Sequence, residues 1–140
     1  MTKDTERLIR DSWLRLFPLR LATAQRFYER LFEIDPTAKA LFDGKPMHVQ
    51  HEKFVQTLDT LVQMLDFPAD IIGELQALAH RHVDYGVTLE QYATVGTALL
   101  WALERGMGSG WTPDVQRAWI ELYLLIEGVM KRAVSGTATE

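Results

Sequence analysis

The sequence of 140 residues contains no cysteine, which excludes disulfides, thiol catalysis and thiolate metal sites. It also contains no basic block, and with a net charge of −4 we expect no nucleic-acid partner. No apolar run is long enough to span a bilayer, and no apolar signal segment follows Met1. We therefore expect no membrane partner and a cytoplasmic location.

Helical periodicity runs through nearly the whole chain, without internal repeats or a convincing strand pattern. Because 47% of the residues are apolar, a buried core is expected, and the length fits one domain over 1–140 with a frayed tail at 135–140. The prediction is an all-α fold of about six to seven helices. They run over about 3–16, 19–34, 36–40, 47–65, 69–83, 88–105 and from 113 towards the tail.

Capping signals set these boundaries. Proline ends or opens a helix at Pro18, Pro36, Pro68 and Pro113. Gly86 stands in a helix-terminating position, and 88–91 reads as a capping box for the following helix. In the second helix the predicted inward residues are Leu21, Ala24, Tyr28, Leu31 and Phe32.

Four histidines are the best candidates for chemistry: His48, His51, His80 and His82. The apolar stripe of Ile71, Leu75 and Leu78 continues onto His82, whereas His80 lies roughly 160° away around the helix. His82 is therefore either a core histidine bonded to a backbone carbonyl, or a ligand of a metal or haem iron.

The preceding helix has an apolar stripe of Phe54, Leu58, Leu61 and Leu65. Traced backwards, this stripe passes between Gln50 and His51, so phase alone leaves open which of the two faces inward. His48 and His51 are three residues apart, but without a third ligand a zinc site is not favoured. Tyr28 and Phe42 read either as core aromatic residues or as part of a site.

At this point the chain resembles bacterial single-domain globins, the haem domains of flavohaemoglobins and, more distantly, neuroglobins. The resemblance is carried, in order, by segments in the first helix, the second helix and its corner, the distal helix, the proximal region, and the last two helices. These segments are Leu8–Trp13, Phe27–Phe32 with Asp35–Pro36 and Leu41–Phe42, Gln50–Phe54, His82–Val87, Tyr92–Gly96, and Ala118–Trp119 with Tyr123.

The resemblance implies a globin fold around a haem b pocket, with a role for each matching residue. His82 matches the proximal iron ligand, and Phe42 matches the phenylalanine that packs on the haem face. Tyr28 and Gln50 match the polar distal positions, which resolves the Gln50/His51 ambiguity in favour of Gln50. The resemblance also implies that Phe54 is the apolar distal residue and that Tyr92 is a further cofactor contact. It places Lys53 and Arg81 where a cation can pair with a haem propionate.

Two departures from the family pattern matter. Ala93 stands where many relatives have proline, and Val134 stands where flavohaemoglobin-type globins place a glutamate that bonds the proximal histidine. Glu127 lies two turns too early for that role. Without this carboxylate the proximal histidine is less electron-donating, which weakens an expectation of dioxygenase or peroxidase-like chemistry.

The resulting expectation is a ligand-binding protein rather than an enzyme, with no catalytic residue assigned. It would bind O₂, and also NO or CO, at ferrous haem, for oxygen binding, scavenging or delivery. One alternative is an NO dioxygenase that depends on a separate reductase. The other is a haem-free sensor or interaction domain with this fold. The protein is expected to be a monomer or homodimer.

Overall fold

The computed structural model describes the backbone of residues 1–139 and the side chains of residues 1–135. Its regular structure in this range is entirely helical, which confirms the predicted all-α class. The six α-helices are α1 (Lys3–Leu16), α2 (Arg20–Ile34), α3 (Met47–Gln63), α4 (Pro68–Asp84), α5 (Gln91–Met107) and α6 (Pro113–Thr139). Short 3₁₀ segments cover Phe17–Leu19, Pro36–Phe42 and Gly108–Gly110. The predicted frayed tail falls mainly on residues outside the described side chains and stays a prediction.

Local hydrogen bonds explain where several helices begin. The Asp35 carboxylate accepts a bond from the Thr37 amide at 3.1 Å, and the Thr112 hydroxyl accepts one from the Val115 amide at 3.2 Å. Before α5, the Gln91 side chain accepts a bond from the Thr88 amide at 2.9 Å. Each contact satisfies an amide that would otherwise lack a partner at a helix start.

The end of α4 is set by Gly86, which adopts a φ of +90°. Residues other than glycine rarely take up this left-handed conformation, so a glycine here ends the helix at low cost. The Val87 amide then donates to the His82 carbonyl at 2.9 Å, which closes the turn. His82 is thereby held in the last turn of a well-terminated helix.

A single apolar cluster draws residues from all six helices. Its most enclosed side chains include Ile9, Leu16, Leu61, Leu75, Leu103 and Trp119. The closest helix pairings are α2 with α5, α4 with α6, α1 with α6 and α2 with α3. Within residues 1–139, the consecutive helices α3 and α4 are not among these pairings.

Three local predictions differ most from the structure. Helix α5 begins at Gln91, three residues after the predicted start at about 88. Leu21 was expected to face inward but is 47% exposed, because the buried face of α2 runs through Thr23 and Ala24 and its centre lies about 90° around the helix from Leu21. The inward position is taken instead by Phe27, which is 4% exposed. The turn that begins at Pro36 also extends to Phe42, two residues beyond the predicted end at 40.

Candidate functional site

His82 is a partly buried histidine in the last turn of α4. Its Nδ1 lies 2.9 Å from the carbonyl oxygen of Leu78. With Nδ1–H as donor, the lone pair of Nε2 is left free, and Nε2 has no hydrogen-bond partner among the described residues. Burial is the main cause that lowers the pKa of His82 below its usual value. The neutral imidazole that results is the form that binds a metal ion.

His80, two residues earlier, is exposed. The predicted difference between the two histidines, with His82 on the apolar side of the helix and His80 away from it, is therefore seen in the structure.

Tyr28 is the polar member of an aromatic cluster formed by Phe27, Tyr28, Phe32, Phe42 and Phe54. Its ring lies 4.9 Å from Phe27, 5.3 Å from Phe42 and 5.9 Å from Phe54, measured between centroids. Tyr28 is 9% exposed, and this burial raises its pKa to about 12. The phenol thus stays protonated, and its hydroxyl has no hydrogen-bond partner among residues 1–135.

Phe42 connects this cluster to the corner that precedes α3. Its ring is partly buried and lies 5.7 Å from Phe32. The Lys45 ammonium lies 5.8 Å from the Phe42 ring and 4.6 Å from the Tyr85 ring. Because Tyr85 follows α4, this lysine joins the corner before α3 to the corner after His82. The sequence offered no signal for this contact.

At the start of α3 the structure brings His51 to Tyr28. The two ring centroids are 5.6 Å apart with an interplanar angle of 32°. Burial is the main cause that lowers the pKa of His51, against an opposing effect of the nearby Glu29 carboxylate. The Gln50 side chain is partly buried and forms no hydrogen bond within the described residues. Its distal role stays a prediction.

The burial pattern of α3 explains why His51 reaches Tyr28. Val55 is 8% exposed, whereas Phe54 is only partly buried and stacks on Phe27 at 4.4 Å. One turn before Val55 stands His51, and one turn before Phe54 stands Gln50. The buried face of α3 is therefore centred nearer to His51 than the predicted stripe through Phe54. An apolar Val55 one turn after His51 was the signal in the sequence that could have indicated this orientation of α3.

The remaining predicted residues are more dispersed. Lys53 is exposed, and Arg81 is exposed and lies 3.7 Å from the Glu74 carboxylate. Tyr92 is 5% exposed, and its backbone oxygen accepts a hydrogen bond from the Tyr123 hydroxyl. Their predicted contacts to a cofactor stay predictions.

Val134 packs partly buried against the core. The bond partner of the His82 Nδ1 is a backbone carbonyl, as expected when no carboxylate replaces it.

These residues fit a haem. His82 offers a neutral imidazole with a free Nε2, and Tyr28 offers a protonated hydroxyl without a partner. Leu78, one turn before His82, packs against the same apolar core as Phe42 and Phe54, whose rings contact Tyr28. The described residues contain no group of three or more histidine, cysteine or acidic side chains that would hold a bare metal ion. They also contain no helix long and apolar enough to cross a membrane.

Comparisons with known proteins give a consistent result. A family model described as Globin matches residues 25–130. A protein of Physcomitrium patens named anaerobic nitrite reductase is 32% identical, over 93% of this chain and 80% of its own length. The neuroglobin of Danio rerio is 28% identical, over 94% and 91%. The flavohemoprotein of Rhodopirellula baltica is 31% identical over 88% of this chain, which spans only 31% of that longer protein.

Two solved structures share the fold. One is a protein described as a hexacoordinated heme protein from an anhydrobiotic tardigrade, with a TM-score of 0.86, 15% identity and coverage of 95% of this chain and 94% of that one. The other is a bacterial globin from Campylobacter jejuni, with a TM-score of 0.84, 20% identity and coverage of 99% and 100%. At these identities the likeness concerns the fold alone.

Proposed function

Because this chain belongs to the globin family, and is therefore a haem-binding protein with diatomic gases as its ligands, we propose that it binds O₂ reversibly at ferrous haem b. His82 is the proximal ligand in this proposal, and residues 1–140 form one globin domain. The observation that carries the proposal is the pair of polar atoms without partners among the described residues, His82 Nε2 and the Tyr28 hydroxyl, on two helices that share one apolar core.

When bound, a ferrous haem supplies an iron that binds O₂ and gives it partial negative charge. The contribution of Tyr28 is a hydrogen bond from a phenol that remains protonated at neutral pH. The aromatic cluster holds its ring and excludes water, so the bond is stronger than it would be in water. In this proposal α3 supplies a further donor, and the ring contact with Tyr28 favours His51, with Gln50 as the alternative.

The partner of His82 bears on the choice between binding and catalysis. Nδ1–H donates to a neutral backbone carbonyl, which makes the imidazole less electron-donating than a carboxylate would. This favours reversible binding over chemistry that breaks the O–O bond. We therefore place oxygen binding, scavenging or delivery ahead of enzymatic turnover.

Two enzymatic alternatives follow from the relatives. The match to a flavohemoprotein supports an NO dioxygenase that receives electrons from a separate reductase. The name of the Physcomitrium patens relative supports nitrite reduction. A haem-free sensor or interaction domain is disfavoured, because it would have no use for an imidazole nitrogen and a phenol that both lack partners among the described residues beside one apolar core.

The direct test is the haem content and ferrous spectrum of the purified protein. We expect one haem b per chain and a reversible spectral change with O₂. His82→Ala should lose most of the haem, since the iron would lose its protein ligand, whereas the exposed His80→Ala should keep it. Full haem content with an unchanged ferrous spectrum in His82→Ala would show that the ligand is misassigned.

A further inference from the structure

The outward face of α6 carries an exposed leucine beside a glycine. Leu124 is 61% exposed, and Gly128 lies one turn later on the same side of the helix. A Cβ atom added at Gly128 would approach the guanidinium at the end of the flexible Arg132 side chain, with Nη1 at 3.2 Å. Leu124 also borders a groove of about 220 Å³ between α5 and α6, together with Ala93, Thr97, Leu100 and Ile120. The face thus presents an apolar projection at Leu124, with the groove on one side of it and Gly128, which has no side chain, on the other.

Charges of opposite sign flank this pair of residues. Glu121 lies three residues before Leu124, and Lys131 and Arg132 follow Gly128. Among the described residues neither Glu121 nor Arg132 forms an ion pair. The Glu121 carboxylate accepts only a long hydrogen bond of 3.4 Å from the Thr5 hydroxyl. Lys131 pairs with Glu127 at 2.8 Å and has further donors available. Glu121 and Arg132 therefore place opposite charges on one helix face, neither with an ion-pair partner among the described residues.

We propose that a second copy of this chain docks on this face, with the two α6 helices antiparallel and the two-fold axis at position 126. In this register Leu124 of each copy lies opposite Gly128 of the other copy. Glu121 of each copy lies opposite Lys131 and beside Arg132 of the other. Because each contact occurs twice about a two-fold axis, this interface contains two apolar contacts and two charge clusters.

The charge pattern selects this register over its nearest alternative. If the axis lay at Leu124, Glu121 would stand opposite Glu127, and Arg117 opposite Lys131. Both are pairs of like charge, and these disfavour an interface. Moving the axis from position 124 to position 126 removes both repulsions. It also places Leu124 of each copy on Gly128 of the other copy rather than on the other Leu124.

The size of the face indicates a weak dimer. From Arg117 to Lys131 the helix is about 22 Å long. A contact of this length that also includes the groove between α5 and α6 would bury about 1,200 Å² in total, at the low end of specific interfaces. We expect a dissociation constant in the micromolar range, and hence a monomer in dilute solution.

The test is sedimentation velocity of the holoprotein over a concentration series from low to high micromolar. Wild type should shift from monomer to dimer. Leu124→Asp should abolish the shift, because it buries a charge against the partner. Gly128→Leu should abolish it too, because its side chain would occupy the place that the partner's Leu124 takes in this register, yet it favours the helix within the monomer. The matched control is Leu14→Asp, which changes a leucine of α1 that is 73% exposed and should leave the dimer intact.

Charge reversal tests the register. Glu121→Lys should weaken dimerisation by roughly tenfold or more, because it turns two attractions into repulsions. Combining it with Lys131→Glu and Arg132→Glu should restore the dimer. A protein that stays monomeric at every concentration overturns the proposal, as does a dimer that survives both Leu124→Asp and Gly128→Leu. An equal loss of dimer in Leu14→Asp also overturns it, and an unchanged dimer in Glu121→Lys overturns the register.

Discussion

The Tyr28 hydroxyl is a strong donor that the described residues leave without a partner, in a ring held by four phenylalanines. If the hydroxyl bonds O₂, Tyr28→Phe should raise the O₂ dissociation rate by about tenfold, the factor expected from losing one good hydrogen bond. CO release should change less, because bound CO carries little charge. Stopped-flow measurement of the O₂ and CO dissociation rates is the test. Tyr85→Phe removes a hydroxyl from a tyrosine that is 51% exposed, and as the control it should leave both rates unchanged.

The competing interpretation makes Tyr28 a core residue only. Tyr28→Phe would then alter the melting temperature while leaving O₂ release unchanged. That result, with haem retained, would remove the distal tyrosine from the mechanism but leave the fold untouched.

A second prediction at the residue scale separates His51 from Gln50. Because the His51 ring contacts Tyr28, His51→Leu should raise the O₂ dissociation rate several-fold, and Gln50→Leu should raise it less. The two leucine variants are matched controls for each other, one residue apart on α3. The spectrum of the gas-free ferrous protein adds an independent readout. A low-spin bis-histidine spectrum that disappears in His51→Ala would show that His51 reaches the iron itself. A larger effect of Gln50→Leu would instead support the original assignment.

Among the elements, α4 was the most predictable from sequence. Pro68 opens it, Gly86 ends it, and the stripe through Ile71, Leu75 and Leu78 gives the orientation of His82. All of these signals are local to the helix. The observed bounds, Pro68–Asp84, lie within one residue of those predicted. A histidine at the end of such a stripe is partly buried because the helix as a whole is oriented by its apolar face.

Helix α3 shows where local signals stop being sufficient. Gln50 and His51 are about 100° apart and border the same stripe on either side, so a small rotation of the helix decides between them. That rotation is set by contacts with α2, chiefly the stacking of Phe54 on Phe27 and the burial of Val55. Leu21 of α2 was mispredicted for a related reason. The buried face of its first turn passes through Thr23 and Ala24, and Leu21 lies about 90° around the helix from the centre of that face.

For the molecule as a whole, the order of helices was readable from the sequence but their pairings were not. The contact of α2 with α5 and of α4 with α6 joins residues far apart in the chain, and no periodicity specifies it. The same holds for the Lys45 contact with Tyr85, which joins two corners. Family membership supplied this long-range information, because residues 25–130 match one family and the fold follows from it.

The whole molecule should also lose stability in mild acid. Burial lowers the pKa of His82, and that of His51, below their usual value of 6.5. Above pH 6.5 both histidines are neutral whether the chain is folded or unfolded, so they add no pH dependence. As the pH falls below 6.5, the unfolded chain binds protons that the folded chain excludes, and the free energy of unfolding decreases. The decrease stops once the pH is below the folded-state pKa values.

Urea unfolding of the haem-free protein between pH 8 and pH 5 measures this dependence without any contribution from iron binding. The slope should be steepest below pH 6.5 and should not exceed about 1.4 kcal/mol per pH unit for each histidine. His82→Gln should flatten the curve, because glutamine does not titrate, whereas His80→Gln at an exposed position should leave its shape unchanged. Identical pH profiles for wild type and His82→Gln would contradict a buried, neutral His82, and with it the imidazole that the haem site requires.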